Sequence, residues 1–291
     1  METGPYIVIT PVRNEEKYLQ LTIDSMVAQT LRPQRWVIVD DGSKDDTGKI
    51  ALAAAQAQPW VSVVQRPDRG FRQAGGGVME AFYDGYRSLG EGAWRFLAKL
   101  DGDLSLSSAY FEQSLKRFEL DPKLGIGGGT ICNAINGSLE VESRIDPAFH
   151  VRGATKIYRR ECWEQIGGLV RAPGWDTVDE VKANMLGWST RTFSELKIEH
   201  HRAAGEAYGR WSNLIKNGLA NYIAGYHPLF MLLKSIRRSF ERPYLVAGCG
   251  LWCGFVGGYI KRVPQVADKE VITYFRRQQM NRLKGKKSLW S

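Results

Sequence analysis

Short apolar segments alternate with longer amphipathic segments in the first part of the chain, and this alternation constrains the fold more than any other feature. The apolar segments are rich in β-branched residues and have the length of strands, at residues 6–10, 36–39, 61–64 and 94–100. The amphipathic segments between them have the length of helices, at residues 17–29, 47–58 and 78–88. Strands that alternate with helices are typical of βαβ units, which build a mostly parallel sheet with helices on its faces. We therefore predict an α/β fold.

The composition excludes several other classes of protein. The chain has 291 residues, of which 43% are hydrophobic and 24% charged, and these values exclude a disordered chain, a collagen or a coiled coil. Its four cysteines occur in neither a CxxC motif nor a Cys/His metal spacing, which suits a reducing compartment. The N-terminal residues lack the basic and apolar stretches of a signal peptide. We therefore expect a cytoplasmic protein.

The positive charge is concentrated in the last third of the sequence. Residues 1–201 contain 24 Lys and Arg against 27 Asp and Glu, whereas residues 202–291 contain 16 against 4. The net charge of +9 therefore separates into −3 and +12. A basic segment attached to a near-neutral one predicts contact with a polyanion, either a membrane surface or a nucleic acid.

The basic segment contains a stretch whose composition is typical of a membrane-associated region. Tyr244 to Ile260 is 17 residues without a charge, slightly short of the roughly 20 that a spanning helix needs. Arginines flank this stretch, and it contains Trp252. We favour peripheral contact with an anionic membrane over helices packed on the rest of the protein, and over a full span. Nucleic acid is a minor alternative, because no recognisable nucleic-acid module accompanies the charges.

Acidic residues follow two of the predicted strands. Asp40 and Asp41 follow the second strand, and Asp101 and Asp103 follow the fourth. In parallel sheets ligands bind outside the carboxyl ends of the strands, where two such carboxylates can share a divalent cation with diphosphate oxygens. Helix capping needs only one acceptor, so Asp41 remains available to accept a hydrogen bond from a nucleobase or ribose.

Together with Pro11-Val12-Arg13-Asn14-Glu15 after the first strand, these segments resemble the motif series of family 2 glycosyltransferases. Such enzymes have the GT-A fold and use nucleotide-diphosphate sugars. The resemblance implies inverting transfer of a sugar to a hydroxyl acceptor, with Mg²⁺ or Mn²⁺ holding the donor diphosphate. We accordingly divide the chain into a catalytic domain at 1–205, with a nucleotide-sugar half at 1–125 and an acceptor half at 126–205, and a basic helical region at 206–291.

The resemblance also implies roles for residues of the nucleotide-sugar half. Asp41 matches the aspartate that contacts the nucleobase, and Pro11 and Glu15 match the first nucleotide-contacting loop. Asp101 and Asp103 match the DxD motif that binds donor and metal, with Asp103 the more direct metal ligand.

Three further residues extend this donor site. Arg72 is placed where it would reach a phosphate, and its alternative is a solvated loop. His200 or His201 matches a position at which GT-A enzymes sometimes complete the metal shell, and the alternative is a surface turn. We expect these residues to surround the diphosphate.

An inverting displacement also needs a general base that removes the proton of the acceptor hydroxyl. The acidic segment at 176–180 resembles the acceptor-side motif of the family, although Trp175 replaces its usual glutamate. Asp176 matches the catalytic aspartate best, followed by Asp179 and Glu180. The alternative is an acidic helix N-terminus that the helix dipole stabilises.

The acceptor that fits a membrane-associated enzyme is a glycan or a lipid-linked saccharide, as in bacterial-type synthesis of cell-surface polysaccharides. Two alternative functions stay open at this point. A sugar-phosphate nucleotidyltransferase shares the architecture but has a glycine-rich first loop, whereas Pro11 to Glu15 contains no glycine. The other alternative is a membrane-tethered module that binds a nucleotide sugar without catalysis.

Overall fold

The computed structural model describes residues 4–70, 76–90, 92–135, 137–143, 146–202, 209–240 and 244–291. Arg72 and the domain boundary that we predict at 205 lie outside these ranges. The strands of the described chain are β1 Tyr6–Val12, β2 Arg35–Asp40, β3 Val61–Gln65, β4 Phe96–Leu100, β5 Leu104–Ser105, β6 Leu124–Ile135, β7 Ser138–Val141, β8 Thr155–Arg159 and β9 Ser189–His200. Its helices are α1 Leu19–Val27, α2 Thr47–Ala57, α3 Gly76–Ser88, α4 Tyr110–Leu120, α5 Arg160–Ile166, α6 Trp175–Met185, α7 Arg210–Ile223, α8 Pro228–Ser239, α9 Val246–Ile260 and α10 Lys269–Leu283.

The described strands form one sheet in the order β3-β2-β1-β4-β8-β6-β9-β5, with β7 paired to β6. The first four strands along the chain, β1 to β4, pair in parallel. Their carboxyl ends therefore lie at the same edge of the sheet, as we predicted from the alternation of strands and helices. This half of the structure confirms the α/β fold.

The second half of the sheet is mixed. Strand β8 is antiparallel to β4 and β6, whereas β6 is parallel to β9. The glycine-rich segment that begins at residue 124 forms β6, a strand of 12 residues. Its glycines admit close neighbours, since a Cβ at Gly127 would lie 2.6 Å from the Phe193 ring. Here glycine marks tight packing within a strand.

Side chains that alternate along the strands fill two hydrophobic layers. From β1, Tyr6 and Val8 pack with α1, α2 and α4 on one face of the sheet. Ile7 and Ile9 pack with α3, α5 and α6 on the other face. Because both faces are covered, access to the sheet is left at its edges and at the loops that follow the strands.

The basic C-terminal region forms four helices in the described chain, and they pack tightly through glycine. A Cβ at Gly218 of α7 would lie 2.1 Å from the Leu251 carbonyl oxygen, and one at Gly254 of α9 would lie 2.0 Å from that of Ile215. Gly254 of the uncharged stretch thus packs on the backbone of α7. Within the part of the chain that the structure describes, no helix combines the length and apolar character needed to cross a membrane.

Candidate active site

The loops that follow β1 and β2 are joined by hydrogen bonds at the carboxyl edge of the sheet. The backbone N–H of Asn14 donates to Ser43 Oγ at 3.0 Å, and the Asn14 side chain accepts from the Lys44 N–H at 2.9 Å. The N–H of Glu15 donates to Thr47 Oγ1 at 2.7 Å. These contacts hold the first predicted nucleotide-binding loop against the second.

Asp41 lies at this edge with its carboxylate between two arginines. It forms ion pairs with Arg66 and Arg69. Arg66 Nε also lies 2.6 Å from Asp84, and Arg69 Nη1 lies 3.2 Å from Glu80, so helix α3 anchors both arginines. A carboxylate has about four lone-pair positions, and Asp41 therefore keeps capacity to accept a further hydrogen bond. Pro11 lies nearby at the end of β1, paired with Val39 of β2.

Asp101 follows β4 and is tied to the acceptor half by a lysine. Lys99, a buried residue of β4, pairs with the Asp101 carboxylate, and its Nζ donates to the Gly153 carbonyl oxygen at 2.6 Å. Burial raises the pKa of Asp101 and the charge of Asp103 raises it further, while Lys99 opposes both effects. An additional positive charge beside Asp101 would therefore be stabilised.

Asp103 is surrounded by cationic side chains from β9 and the residues that follow. Its Oδ2 lies 3.4 Å from His200 Nε2 and 3.9 Å from Arg202 Nε. Burial raises the pKa of Asp103, but His200 and Arg202 outweigh burial and the pKa is lowered. Arg202 also pairs with Glu15, and this pair connects the first loop to the DxD segment. His200 Nδ1 lies 3.8 Å from Glu142 Oε2.

The two adjacent histidines point in different directions. His201 Nε2 lies 2.7 Å from Ser105 Oγ, and its ring stacks on Tyr18 with centroids 6.0 Å apart. His200 faces Asp103 instead. Of the two, the geometry favours His200 as a neighbour of a metal.

The donor set at this position fits a divalent cation that a diphosphate also coordinates. It consists of the Asp101 and Asp103 carboxylates with His200 beside Asp103. In the described residues no group of three His, Cys, Asp or Glu side chains is arranged to hold a metal ion by itself. Oxygen ligands from a substrate phosphate would complete the shell, as is usual for Mg²⁺.

Asp176 lies in the first turn of α6, and its side chain is partly exposed. A Cβ at Gly153 would lie 3.2 Å from Asp176 Oδ2 and 2.9 Å from the Trp175 ring. Lys99 and Lys156 place their Nζ atoms 5.4 and 5.5 Å from the centre of the Trp175 ring. Trp175 thus contacts two buried cations, and Asp176 beside it keeps a partly exposed side chain.

The other two acidic candidates are buried in an ionic network. Lys156 Nζ lies 2.9 Å from Asp179 and 2.7 Å from Glu180. Tyr158 donates to Asp179 at 2.6 Å, and His150 Nδ1 lies 2.9 Å from Glu180. Burial raises the pKa of Asp179 to about 6, although Lys156 opposes the rise. Because neither carboxylate is accessible to an acceptor, the geometry favours Asp176 among the three.

Several charged residues of this site were not predicted from the sequence. Lys99 and Lys156 each interrupt a buried strand, and a charge at such a position requires a partner, which is a signal that the sequence does carry. Arg202 follows the histidine pair directly. Arg66 lies beyond the end of β3, and no local pattern distinguishes it from a solvated arginine.

Comparison with known proteins identifies relatives of this chain. Residues 7–170 match the family model described as Glycosyl transferase family 2. Glycosyltransferase EpsJ of Bacillus subtilis is 30% identical over 112 residues, which are 38% of this chain and 30% of that protein. Glycosyltransferase RP339 of Rickettsia prowazekii is 46% identical over 46 residues, which are 16% of this chain and 14% of that protein. The chain thus matches less than a third of the length of either relative.

Two solved structures share the fold. Mannosyltransferase PcManGT from Pyrobaculum calidifontis, in complex with GDP-Man and Mn²⁺, is similar with a TM-score of 0.58 at 18% identity, over 99% of this chain and 77% of that one. S. aureus TarS 1–349, in complex with UDP-GlcNAc, has a TM-score of 0.58 at 16% identity, over 97% of this chain and 92% of that one.

Proposed function

Because this chain belongs to glycosyl transferase family 2 and is a glycosyltransferase, we propose that it transfers a sugar from a nucleotide diphosphate to a hydroxyl acceptor with inversion. Membership of the glycosyltransferase family argues against the alternative that the chain is a sugar-phosphate nucleotidyltransferase. One contact carries the proposal: Lys99 binds both Asp101 and the Gly153 carbonyl. Asp176 lies against Gly153, so this contact joins the donor-side acids to the acceptor-side acid.

The donor is held at the carboxyl edge of the parallel strands. Asp41 accepts from the nucleobase, and the loop from Pro11 to Glu15 borders the nucleotide. Arg72 in the following loop remains our prediction for a phosphate contact. The two solved structures of the same fold are complexes with GDP-Man and with UDP-GlcNAc, which supports a nucleotide-sugar donor and leaves its base and sugar open.

Asp101, Asp103 and His200 would hold Mg²⁺ or Mn²⁺ together with the donor diphosphate. Bound there, the cation neutralises the negative charge that develops on the leaving diphosphate. The Mn²⁺ in the mannosyltransferase complex is consistent with this requirement. Arg202, which contacts both Asp103 and Glu15, adds a fixed positive charge beside the same group.

Asp176 performs the acceptor-side chemistry. Its carboxylate takes the proton of the acceptor hydroxyl as the oxygen attacks the anomeric carbon from the face opposite the diphosphate. The bond between the sugar and the diphosphate breaks, and the configuration at that carbon inverts. Lys99 and Lys156 hold Trp175 and the backbone of the Asp176 turn in place, which keeps the base oriented.

The acceptor is a glycan or lipid-linked saccharide used in cell-surface polysaccharide synthesis, and the enzyme works at the cytoplasmic face of the cell membrane. The basic C-terminal region supports this placement, because the net charge of +12 on residues 202–291 attracts anionic headgroups.

Calorimetric titration with UDP and GDP, each with and without Mn²⁺, tests the donor site, and hydrolysis of the matching nucleotide sugar tests catalysis. We expect one nucleotide to bind at least about tenfold more tightly with Mn²⁺. Equal binding without the cation, or binding of neither nucleotide, would contradict the proposed donor site. Binding without any hydrolysis or transfer would instead support the non-catalytic module.

A further inference from the structure

Helix α8 exposes apolar side chains on the face that an ordinary surface helix would fill with polar ones. It buries Met231 and Ser235 against its neighbours. Its exposed apolar side chains recur every three or four residues and form one face, which we call the α8 ridge: Leu229, Leu232, Leu233, Ile236 and Phe240. Amphipathic helices normally turn such a stripe toward the core. The α8 ridge therefore requires an occupant outside the described chain.

The exposed apolar surface continues past the end of α8. Tyr244, Leu245 and Val246 are exposed, and the Leu245 N–H donates to the Ser239 carbonyl oxygen at 2.8 Å. This bond holds the start of α9 against the last turn of α8. Contiguous apolar surface of this kind marks a site of interaction with a protein or a membrane.

The charges around the α8 ridge decide between these two occupants. Residues 226–260 contain four Lys and Arg and one acidic residue. Arg237 lies exposed in the last turn of α8, beside the ridge. A second copy of the chain would bring the same cations together across a two-fold interface, which costs like-charge repulsion. An anionic lipid surface satisfies both the apolar ridge and its cations.

We propose that α8 lies in the plane of an anionic bilayer, with the α8 ridge inserted among the headgroups and acyl chains. We predicted membrane contact for the whole stretch from 244 to 260. In this proposal only its first residues contribute to the surface that contacts the bilayer. Most of α9 packs instead on α7, because Gly218 and Gly254 bring the two helices into backbone contact.

The α8 ridge is connected to the acceptor side of the candidate active site. Gly174, two residues before Asp176, packs on α7: a Cβ there would lie 2.8 Å from the Ala220 carbonyl oxygen and 3.3 Å from Ala224. The chain continues from Ala224 into α8 within a few residues. Helix α7, which packs on the segment before Asp176, is thus continuous in sequence with the helix that docks on the lipid. This link to a lipid-borne acceptor rests on the proposed function, whereas the docking surface itself does not.

Flotation of the protein with phosphatidylcholine vesicles, with or without phosphatidylglycerol as about a third of the lipid, tests the proposal. We expect flotation with the anionic vesicles that weakens as salt rises from about 0.1 to 0.5 M. Ile236→Glu and Leu233→Glu should each reduce the bound fraction at least about tenfold. Leu120→Glu is the matched control, because Leu120 is 73% exposed on α4, and it should float as the wild type does.

Three results would overturn the proposal: no flotation of the wild type, equal loss in Leu120→Glu, or a dimer in sedimentation that Ile236→Glu dissolves without any vesicle binding. Hydrolysis of a soluble nucleotide sugar by the same variants separates the two proposals. It stays at the wild-type rate if only docking is affected, and its absence in the wild type counts against the proposed function alone.

Discussion

Lys156 Nζ lies 2.7 Å from Glu180 Oε1, and both side chains are completely buried. The same ammonium lies 2.9 Å from Asp179 and 2.5 Å from the Asp176 carbonyl oxygen. One lysine therefore balances buried charge and also fixes the backbone of the residue that we propose as the base.

Replacing Lys156 with Met should lower the free energy of unfolding by about 3–5 kcal/mol, because two buried carboxylates lose their main cation. Urea unfolding followed by circular dichroism measures the change. Lys182→Met is the control: Lys182 pairs with Asp268 at 3.2 Å while about a third exposed, and its loss should cost less than about 1 kcal/mol. Equal effects of the two substitutions would contradict the role of Lys156.

The same network predicts a dependence of stability on pH. Burial raises the pKa of Asp179 from 3.8 to about 6, so the folded protein holds this proton more tightly than the unfolded chain. The stabilisation from that proton is complete below about pH 4 and is lost as pH rises through 6. Relative to wild type, Asp179→Asn should therefore gain about 2 kcal/mol between pH 4.5 and 7.5 in urea unfolding. A constant difference would contradict the raised pKa.

Asp176→Asn should lower kcat by about 10²–10⁴-fold, since the amide cannot take the acceptor proton. The dissociation constant of the nucleotide should stay unchanged, because Asp176 lies on the acceptor side. Glu164→Gln on the exposed face of α5 removes a carboxylate away from the cleft and should keep wild-type kcat. Turnover close to wild type in Asp176→Asn would remove Asp176 from the role of base.

The two histidines provide an internal comparison for the metal. His200→Gln should weaken Mn²⁺ binding in the presence of the nucleoside diphosphate by at least about tenfold, as loss of even an outer-shell partner does. His201→Gln should leave it unchanged, because His201 faces Ser105. Electron paramagnetic resonance of free Mn²⁺ measures both affinities without any turnover. The reverse order of the two variants would transfer the metal contact to His201.

Two glycines of α9 differ only in their surroundings. Gly254→Ala should destabilise the C-terminal helices by about 1–3 kcal/mol through overpacking. At Gly257, no atom of the described residues lies within 4 Å of the position that a Cβ would occupy, so Gly257→Ala should stabilise the helix by about 0.5–1 kcal/mol. Thermal unfolding of the two variants measures the contrast. Stabilisation by both would show that α7 and α9 do not pack through Gly254.

The parts of this structure that follow from local pattern were predictable from the sequence. The strand ends at Asp41 and Asp101 were predicted because parallel strands place their carboxyl ends together. The contact of Lys99 with Gly153 joins residues 54 apart in sequence, and no periodicity encodes it. The orientation of α8 could not be predicted from the sequence either. An apolar stripe has the same spacing of residues whether it faces a core or a lipid surface.

Trp290 shows how far the catalytic fold extends toward the end of the chain. Its ring packs on Phe149 with centroids 5.2 Å apart and on Phe230 at 5.3 Å, and Phe149 directly precedes the His150 that pairs with Glu180. Trimming the last helices to obtain a smaller enzyme would therefore remove the packing that supports Phe149 and, next to it, the His150 side chain that pairs with buried Glu180.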